Sequence, residues 1–499
     1  MGCTGFALWL RMALMLCASA CAWQAWAIPK PQALPVFRVF GTEQGLPSRQ
    51  VNALAQDPDG RLWIGTANGL VRFDGQQFFS YPARLEQPNA LASTSVEALT
   101  IGSDGQVWVA TQGGHLARWR AETDDFQRVD LHAQLQTAQL ELWSLASTDE
   151  RIWVGSFGAG LLELSTSGRV LTQHRVPARF GSVDLVDVLP ASGGALWLTT
   201  LDQRLLLFDG KGAFSAVTDG QETPPEVYGM TRKGDALWFS TRDGRSCLVT
   251  QTLIAQCTPM PLLALPARAR MLQSGPRGDW VGGLGELLRS VDGQSQRIGF
   301  TPGRIGGVPQ QALMSAMTDS DQGLWFGSGG GGLLYLPPDA DRFQSWQPSL
   351  VGTEGLRDGR VRGVAKDQQG RVWIGTMNGG LHRLTPSSGS IEALELPGSA
   401  QRRVWAVLAG AQDELWIGHQ EGVLRAGVDA NGRLRSIAQW PASALVGGIV
   451  DLLQVDGDGH IWAASMGEGL SRIDPVSAAV SKYPFGANGL VGTEVQQIT

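Results

Sequence analysis

Cysteine is scarce in this chain and unevenly placed: of five in 499 residues, three lie within the first 21, and only Cys247 and Cys257 follow. A framework of many disulfides is therefore excluded. Positive charge is also short. Forty Lys and Arg stand against 46 Asp and Glu, for a formal net charge of −6, which argues against nucleic acid as a partner. The six His, at 115, 132, 174, 382, 419 and 460, are scattered without the spacing of a metal site, so neither a metal nor another cofactor is expected. Beyond the first 27 residues no apolar run reaches the ~18 residues that a spanning helix needs.

Glycine and tryptophan are abundant instead, at 65 and 18, the latter beside only four Tyr. Repeated tight turns and repeated aromatic anchors would account for both. The first 27 residues carry one charge, Arg11, then an apolar run from Met12 to Ala22 and the small-x-small site Ala25-Trp26-Ala27. This pattern reads as a secretory signal peptide, with an uncleaved membrane anchor as the alternative, and the exported chain is expected in the periplasm. Cys21 follows Ala18-Ser19-Ala20, an incomplete lipoprotein signal.

Ten Trp share one phrase, clearest as Asp57 to Gly75 and Asp367 to Leu384. They are Trp63, Trp108, Trp153, Trp197, Trp238, Trp280, Trp325, Trp373, Trp416 and Trp462, spaced 41 to 48 residues apart. That period lies in the range of propeller blades. Within the first unit, Val51 to Ala55 is apolar and Asp57-Pro58-Asp59-Gly60 supplies turn chemistry. Arg61 to Thr66 forms a second strand, Asn68-Gly69 a tight hairpin, Leu70 to Phe73 a third strand and Gln77 to Tyr81 a fourth. Four antiparallel strands in ~45 residues make one blade of an all-β propeller. A lone blade cannot bury both faces, so blades stack and the Trp fills the space between neighbours. Core packing thus explains these rings better than sugar-stacking platforms do.

The segment Ser246-Cys247 to Gln256-Cys257 reads as two short strands around a turn near Gln251-Thr252. Facing positions of such a hairpin bring Cβ atoms within bonding range, and an exported protein meets an oxidising compartment. A Cys247–Cys257 disulfide is expected; two buried free thiols are the alternative.

The phrase D-x-x-G-x-[LVI]-W-[IVF]-G-[TS]-x-x-G-[GL]-L resembles the two-component regulator propeller repeat. The resemblance runs from Val36 to Thr499 and is strong at Trp63, Trp153, Trp325, Trp373 and Trp416. It is degenerate at Trp197, Trp238 and Trp280, where Leu-Thr-Thr, Phe-Ser-Thr and Val-Gly-Gly follow the Trp. It implies two seven-bladed propellers outside the cytoplasmic membrane, followed by a β-sandwich, a membrane helix and an output such as a histidine kinase or diguanylate cyclase. The widest Trp gap, Trp325 to Trp373, and the echo of Gly41-Thr42-Glu43-Gln44-Gly45-Leu46 in Gly352-Thr353-Glu354-Gly355-Leu356 place a boundary near Trp346. The expected organisation is a signal peptide over 1–27, a seven-bladed propeller over 28–345, and an incomplete second propeller of about three blades plus the start of a fourth over 346–499. The first ring closes through either the Phe37–Phe40 strand or its own last strand. Residues Ala487 to Ile498 match the lead-in to a further repeat, which suggests a truncated frame; the alternative is that Gly489 to Thr499 returns as a closing strand.

In the first-strand pattern V-x-A-L, the x position varies while its neighbours stay apolar. It holds Asn52, Glu97, Trp143, Tyr228, Arg270 and Met314, then Arg362, Trp405 and Asp451. The first strand of a blade lines the central channel, so Asn52, Glu97, Trp143, Tyr228, Arg270, Arg362 and Trp405 are the candidate ligand-facing wall; ordinary blade-face residues are the plain alternative. Asp57-Pro58-Asp59-Gly60 and Asp456-Gly457-Asp458-Gly459 have a faint calcium-loop look but lack the Glu at the twelfth position, and Ser328 to Gly332 lacks the Lys and helix of a phosphate loop.

These readings favour a binding module: the sensing region of a bacterial receptor that takes a small molecule or an oligosaccharide, meets the membrane only through a C-terminal part absent here, and leaves a homodimer open. A glycan-active enzyme is the first rival, but it needs an Arg cluster or paired carboxylates at the channel mouth, and no catalytic residue is expected in this chain. A protein-interaction scaffold is the second.

Overall fold

The computed structural model describes residues 35–221, 225–260, 271–300, 302, 306–340, 346, 355–386, 390–396, 403–411, 413–429, 433–486 and 489–498. The signal-peptide reading and Arg270 lie outside these residues. The described residues divide into two compact units, one within 34–301 and 306–344, the other chiefly within 345–499.

The fold is all-β, built of repeated four-stranded antiparallel sheets of propeller-blade type, ten among the described residues. The first sheet runs Val51–Gln56, Leu62–Thr66, Gly69–Phe73 and Phe78–Tyr81, within a residue or two of the boundaries that turn chemistry predicts. In each sheet the Trp sits on the second strand, and in the sheets before the last of each unit it reaches into the core of the next sheet. Trp63 packs with Val96, Val107 and Val109 of the second sheet, and Trp108 with Leu142, Ile152 and Val154 of the third. The relation continues through Trp153, Trp197, Trp238 and Trp280. Trp325 of the seventh sheet then packs back against Val51, Leu62 and Ile64 of the first. Within the second unit Trp373 packs on the ninth sheet and Trp416 on the tenth. The motif's Gly, two residues after the Trp, follows from this stacking: a Cβ on Gly65 would lie 2.6 Å from Val96 Cγ1, and one on Gly375 2.5 Å from Val404 Cγ1.

The seventh sheet has three sequential strands, Leu313–Thr318, Leu324–Ser328 and Leu333–Leu336, and its outermost strand is Arg38–Phe40 from the start of the chain. Arg38 pairs with Tyr335 and Phe40 with Leu333. Of the two ways of closing left open by the sequence, the early strand is therefore the one used. Gln56 Oε1 adds a bond across the same seam, accepting from the Ser320 N–H at 2.8 Å. Residues 489–498 form no strand; Leu490 makes one isolated bridge to Phe485, so the closing-strand alternative for that segment is not what the described residues adopt.

Cys247 and Cys257 face each other across the strands Arg245–Val249 and Gln256–Pro259 and are joined by a disulfide. No helix of the described residues is long and apolar enough to cross a membrane.

Candidate functional site

The repeated Asp is bound twice over by its own unit. Asp57 Oδ1 accepts from the Asp59 and Arg61 N–H groups at 3.1 and 2.9 Å, and its Oδ2 accepts from Trp63 Nε1 at 2.9 Å. Asp319, Asp367 and Asp456 hold Trp325, Trp373 and Trp462 in the same way. The Asp-rich turns are thus scaffolding. Around Asp456, Asp458 and His460, the described cluster with metal-ligand atoms, the Arg472 guanidinium already sits 3.3 Å from Asp456 Oδ2 and 2.9 Å from His460 Nδ1, where a cation would have to go.

The varying first-strand position has a structural cause that alternation in the sequence hides. In nine of the ten sheets the pairing of first and second strands skips one residue there. The skipped residues are Asn52, Glu97, Trp143, Val186, Tyr228, Met314, Arg362, Trp405 and Asp451. A bulge removes a residue from the ladder and re-aims its side chain, which frees this position from the cross-strand packing that keeps its neighbours apolar. Every described candidate of the predicted wall is a bulge residue. In the sixth sheet the described strand Met271–Gly275 pairs without a skip.

Three consecutive bulge residues, Trp143, Val186 and Tyr228, share a cavity of about 260 Å³ in the first unit, with Asp187, Thr200 and Gln203 also on its wall. Trp143 stacks on Phe157 with ring centroids 6.2 Å apart. Asp187 Oδ1 accepts from Ser144 Oγ at 3.1 Å and from the Val188 N–H at 3.0 Å. Burial raises the Asp187 pKa, and those two hydrogen bonds oppose it without reversing it. Asn52 and Glu97 are not in this cavity. Asn52 Nδ2 donates to Val96 O at 3.0 Å, and Glu97 Oε1 accepts from Ser95 Oγ at 2.6 Å.

In the other unit the Arg362 guanidinium lies over the Trp405 ring at 4.9 Å. Trp405 is buried, and its Nε1 has no hydrogen-bond partner among the described residues. The neighbouring bulge residue, Asp451, has its pKa raised by burial, and Glu494 pushes the same way against Arg362. Two larger cavities, of about 910 and 740 Å³, contain no bulge residue and lie at the closing seam and at the sixth sheet. Three of the nine bulge residues meet at the smaller cavity and none at the larger two, which makes it the candidate site.

Val186 and Asp187 were missed in the sequence because Leu185-Val186-Asp187-Val188 breaks the V-x-A-L pattern. That break was itself the signal.

Two of the repeats, residues 45–68 and 355–378, match the family described as "Two component regulator propeller". No curated protein matches the chain. Among solved structures, the extracellular domain of BT3049, described as a hybrid two component system of B. thetaiotaomicron, is similar at 18% identity and TM-score 0.61, over 91% of this chain and 67% of that one. The corresponding domain of BT4673 from the same organism gives 15% identity and TM-score 0.49, over 90% and 67%. A virginiamycin B lyase from Staphylococcus aureus gives 15% and 0.50, over 60% of this chain and 98% of that one. At these identities the likenesses concern the fold.

Proposed function

We propose that this chain is the extracytoplasmic, ligand-sensing propeller region of a bacterial signalling receptor of the histidine kinase or diguanylate cyclase type. In this reading residues 28–345 form a seven-bladed ring and residues 346–499 contribute three blades to a second one. Support for the first ring comes from Trp325 packing on the first sheet and from the early strand completing the seventh. Support for a second ring comes from the eighth sheet, whose Val361 and Val364 are 42% and 60% exposed where Val404 and Val407 of the ninth are 0% and 8%. The family match points to two-component signalling, and the fold is one shared with an extracellular domain described as belonging to such a system. Residues 1–27 act as the export signal to the periplasm.

The observation that carries the reading is the contrast inside each repeat: an invariant Trp core beside a bulge residue that differs from sheet to sheet. A bulge needs no large ring to fold, yet Trp143, Tyr228 and Trp405 stand there beside Asn52, Glu97, Arg362 and Asp451. A small molecule or oligosaccharide bound there signals through its differential affinity for two conformations.

A thermal-shift screen of the mature chain against oligosaccharides and their breakdown products tests this. The proposal expects at least one compound to raise Tm with increasing concentration, since binding to the folded state stabilises it. A chain that ignores every small ligand yet binds a protein partner is a scaffold instead.

A further inference from the structure

The residue that follows the bulge is small or aliphatic in eight sheets: Ala53, Ala98, Ser144, Gly229, Ser315, Gly363, Ala406 and Leu452. It faces a small residue on the second strand, as Ala53 faces Gly65 and Ser315 faces Gly327. The fourth sheet departs at both places, with Asp187 opposite Thr199, and both residues line the 260 Å³ cavity. A carboxyl in a half-buried position is costly to keep unless something compensates it. Ser144 and the Val188 N–H both serve Oδ1. Among the described residues no Lys or Arg pairs with Asp187, and no donor meets its Oδ2.

The rest of the wall decides what would. Trp143 and Tyr228 contribute aromatic faces, Leu201 and Met230 apolar surface, and Thr200 and Gln203 polar groups. The Trp143 ring is held in place by its stack on Phe157. Aromatic faces combined with an uncompensated carboxyl are the chemistry that recognises an ammonium ion, the ring quadrupoles and the carboxylate attracting the same charge. The volume falls just under the ~300 Å³ lower bound usual for ligand pockets, so the occupant is small.

We infer that the cavity between the third, fourth and fifth sheets binds a small organic cation, with Asp187 as counter-ion and Trp143 and Tyr228 as its aromatic walls. This rests on the sensing reading above and narrows it to a ligand class at one site.

Calorimetric titration of the mature chain with choline, ethanolamine and glucosamine, each paired with its uncharged counterpart (3,3-dimethylbutan-1-ol, ethylene glycol and glucose), tests it. At least one amine should bind about tenfold or more tightly than its neutral partner, equivalent to ~1.4 kcal/mol. Asp187→Asn should abolish that preference with Tm unchanged or raised. Asp187→Ser, which installs the residue found at Ser144 and Ser315, is the second variant and should do the same. Trp143→Ala should weaken the amine with Asp187 intact. Equal binding of neutral and charged partners, or an Asp187→Asn chain that keeps the preference, overturns the cation assignment while leaving the sensing reading in place. No binding by any amine, with oligosaccharides still raising Tm, also overturns it. If neither amines nor oligosaccharides bind, the sensing reading fails as well.

Discussion

The indole N–H of Trp63 donates to the buried carboxylate of Asp57 at 2.9 Å, and the same carboxylate closes the turn that delivers the Trp strand. One side chain thereby ties the hairpin to the core between sheets. Asp57→Ala leaves a buried donor unsatisfied and two turn N–H groups uncapped, so a loss of about 1–3 kcal/mol is expected in urea unfolding. Trp108, whose position six residues earlier is Gly102, has a buried Nε1 with no partner among the described residues.

Gly65 lies where the second sheet comes closest, and its absent Cβ is what lets Val96 approach. Gly65→Ala should cost about 1–3 kcal/mol by overpacking. Gly299, with nothing within 4 Å of a Cβ and no positive φ, is the control; Gly299→Ala should be neutral or slightly stabilising by unfolding measurements.

Asp456 has its pKa lowered to about 2. Desolvation raises it, but the N–H groups of His460 and Asp458, the Trp462 indole and Arg472 together outweigh that. Its folded pKa is depressed, so its stabilisation is present above the unfolded value of ~3.9 and is lost as pH falls from about 4 towards 2. Denaturation curves at pH 5, 3.5 and 2.5 should show this fall, and Asp456→Asn should make it shallower.

The Cys247–Cys257 disulfide closes a short loop within one hairpin, with a sequence separation of 10. Intact mass should rise by two hydrogens on reduction. Loss of the link should destabilise the first unit by about 2–4 kcal/mol, read as a lower Tm in reductant.

Much of this architecture was legible in the chain because one residue type, Trp, marks every unit and because turn residues punctuate the strands between. Two features were not. Whether Arg38–Phe40 or a local strand completed the seventh sheet depends on pairing across almost 300 residues, for which Val39 and its neighbours carry no local cue. The bulge was hidden for a different reason: V-x-A-L reads as plain alternation, and only the pairing of Val51 with Thr66 and of Ala53 with Gly65 reveals that Asn52 has been skipped. The candidate wall was accordingly found by its variability and not by its geometry. The stack of Arg362 on Trp405 joins residues from consecutive sheets, and the Asp187 cavity depended on a residue that the repeat pattern made look like noise.

In the proposed ring, seven sheets close through the early strand. Arg38 and Tyr335 are direct partners across that closure, close enough for Cys substitutions at both to bond. In the Arg38→Cys/Tyr335→Cys chain, peptide mapping under non-reducing conditions should recover a cross-link between these two segments in nearly all molecules, with Tm raised. Two free thiols at these positions in an otherwise folded protein would show that the ring is not closed this way.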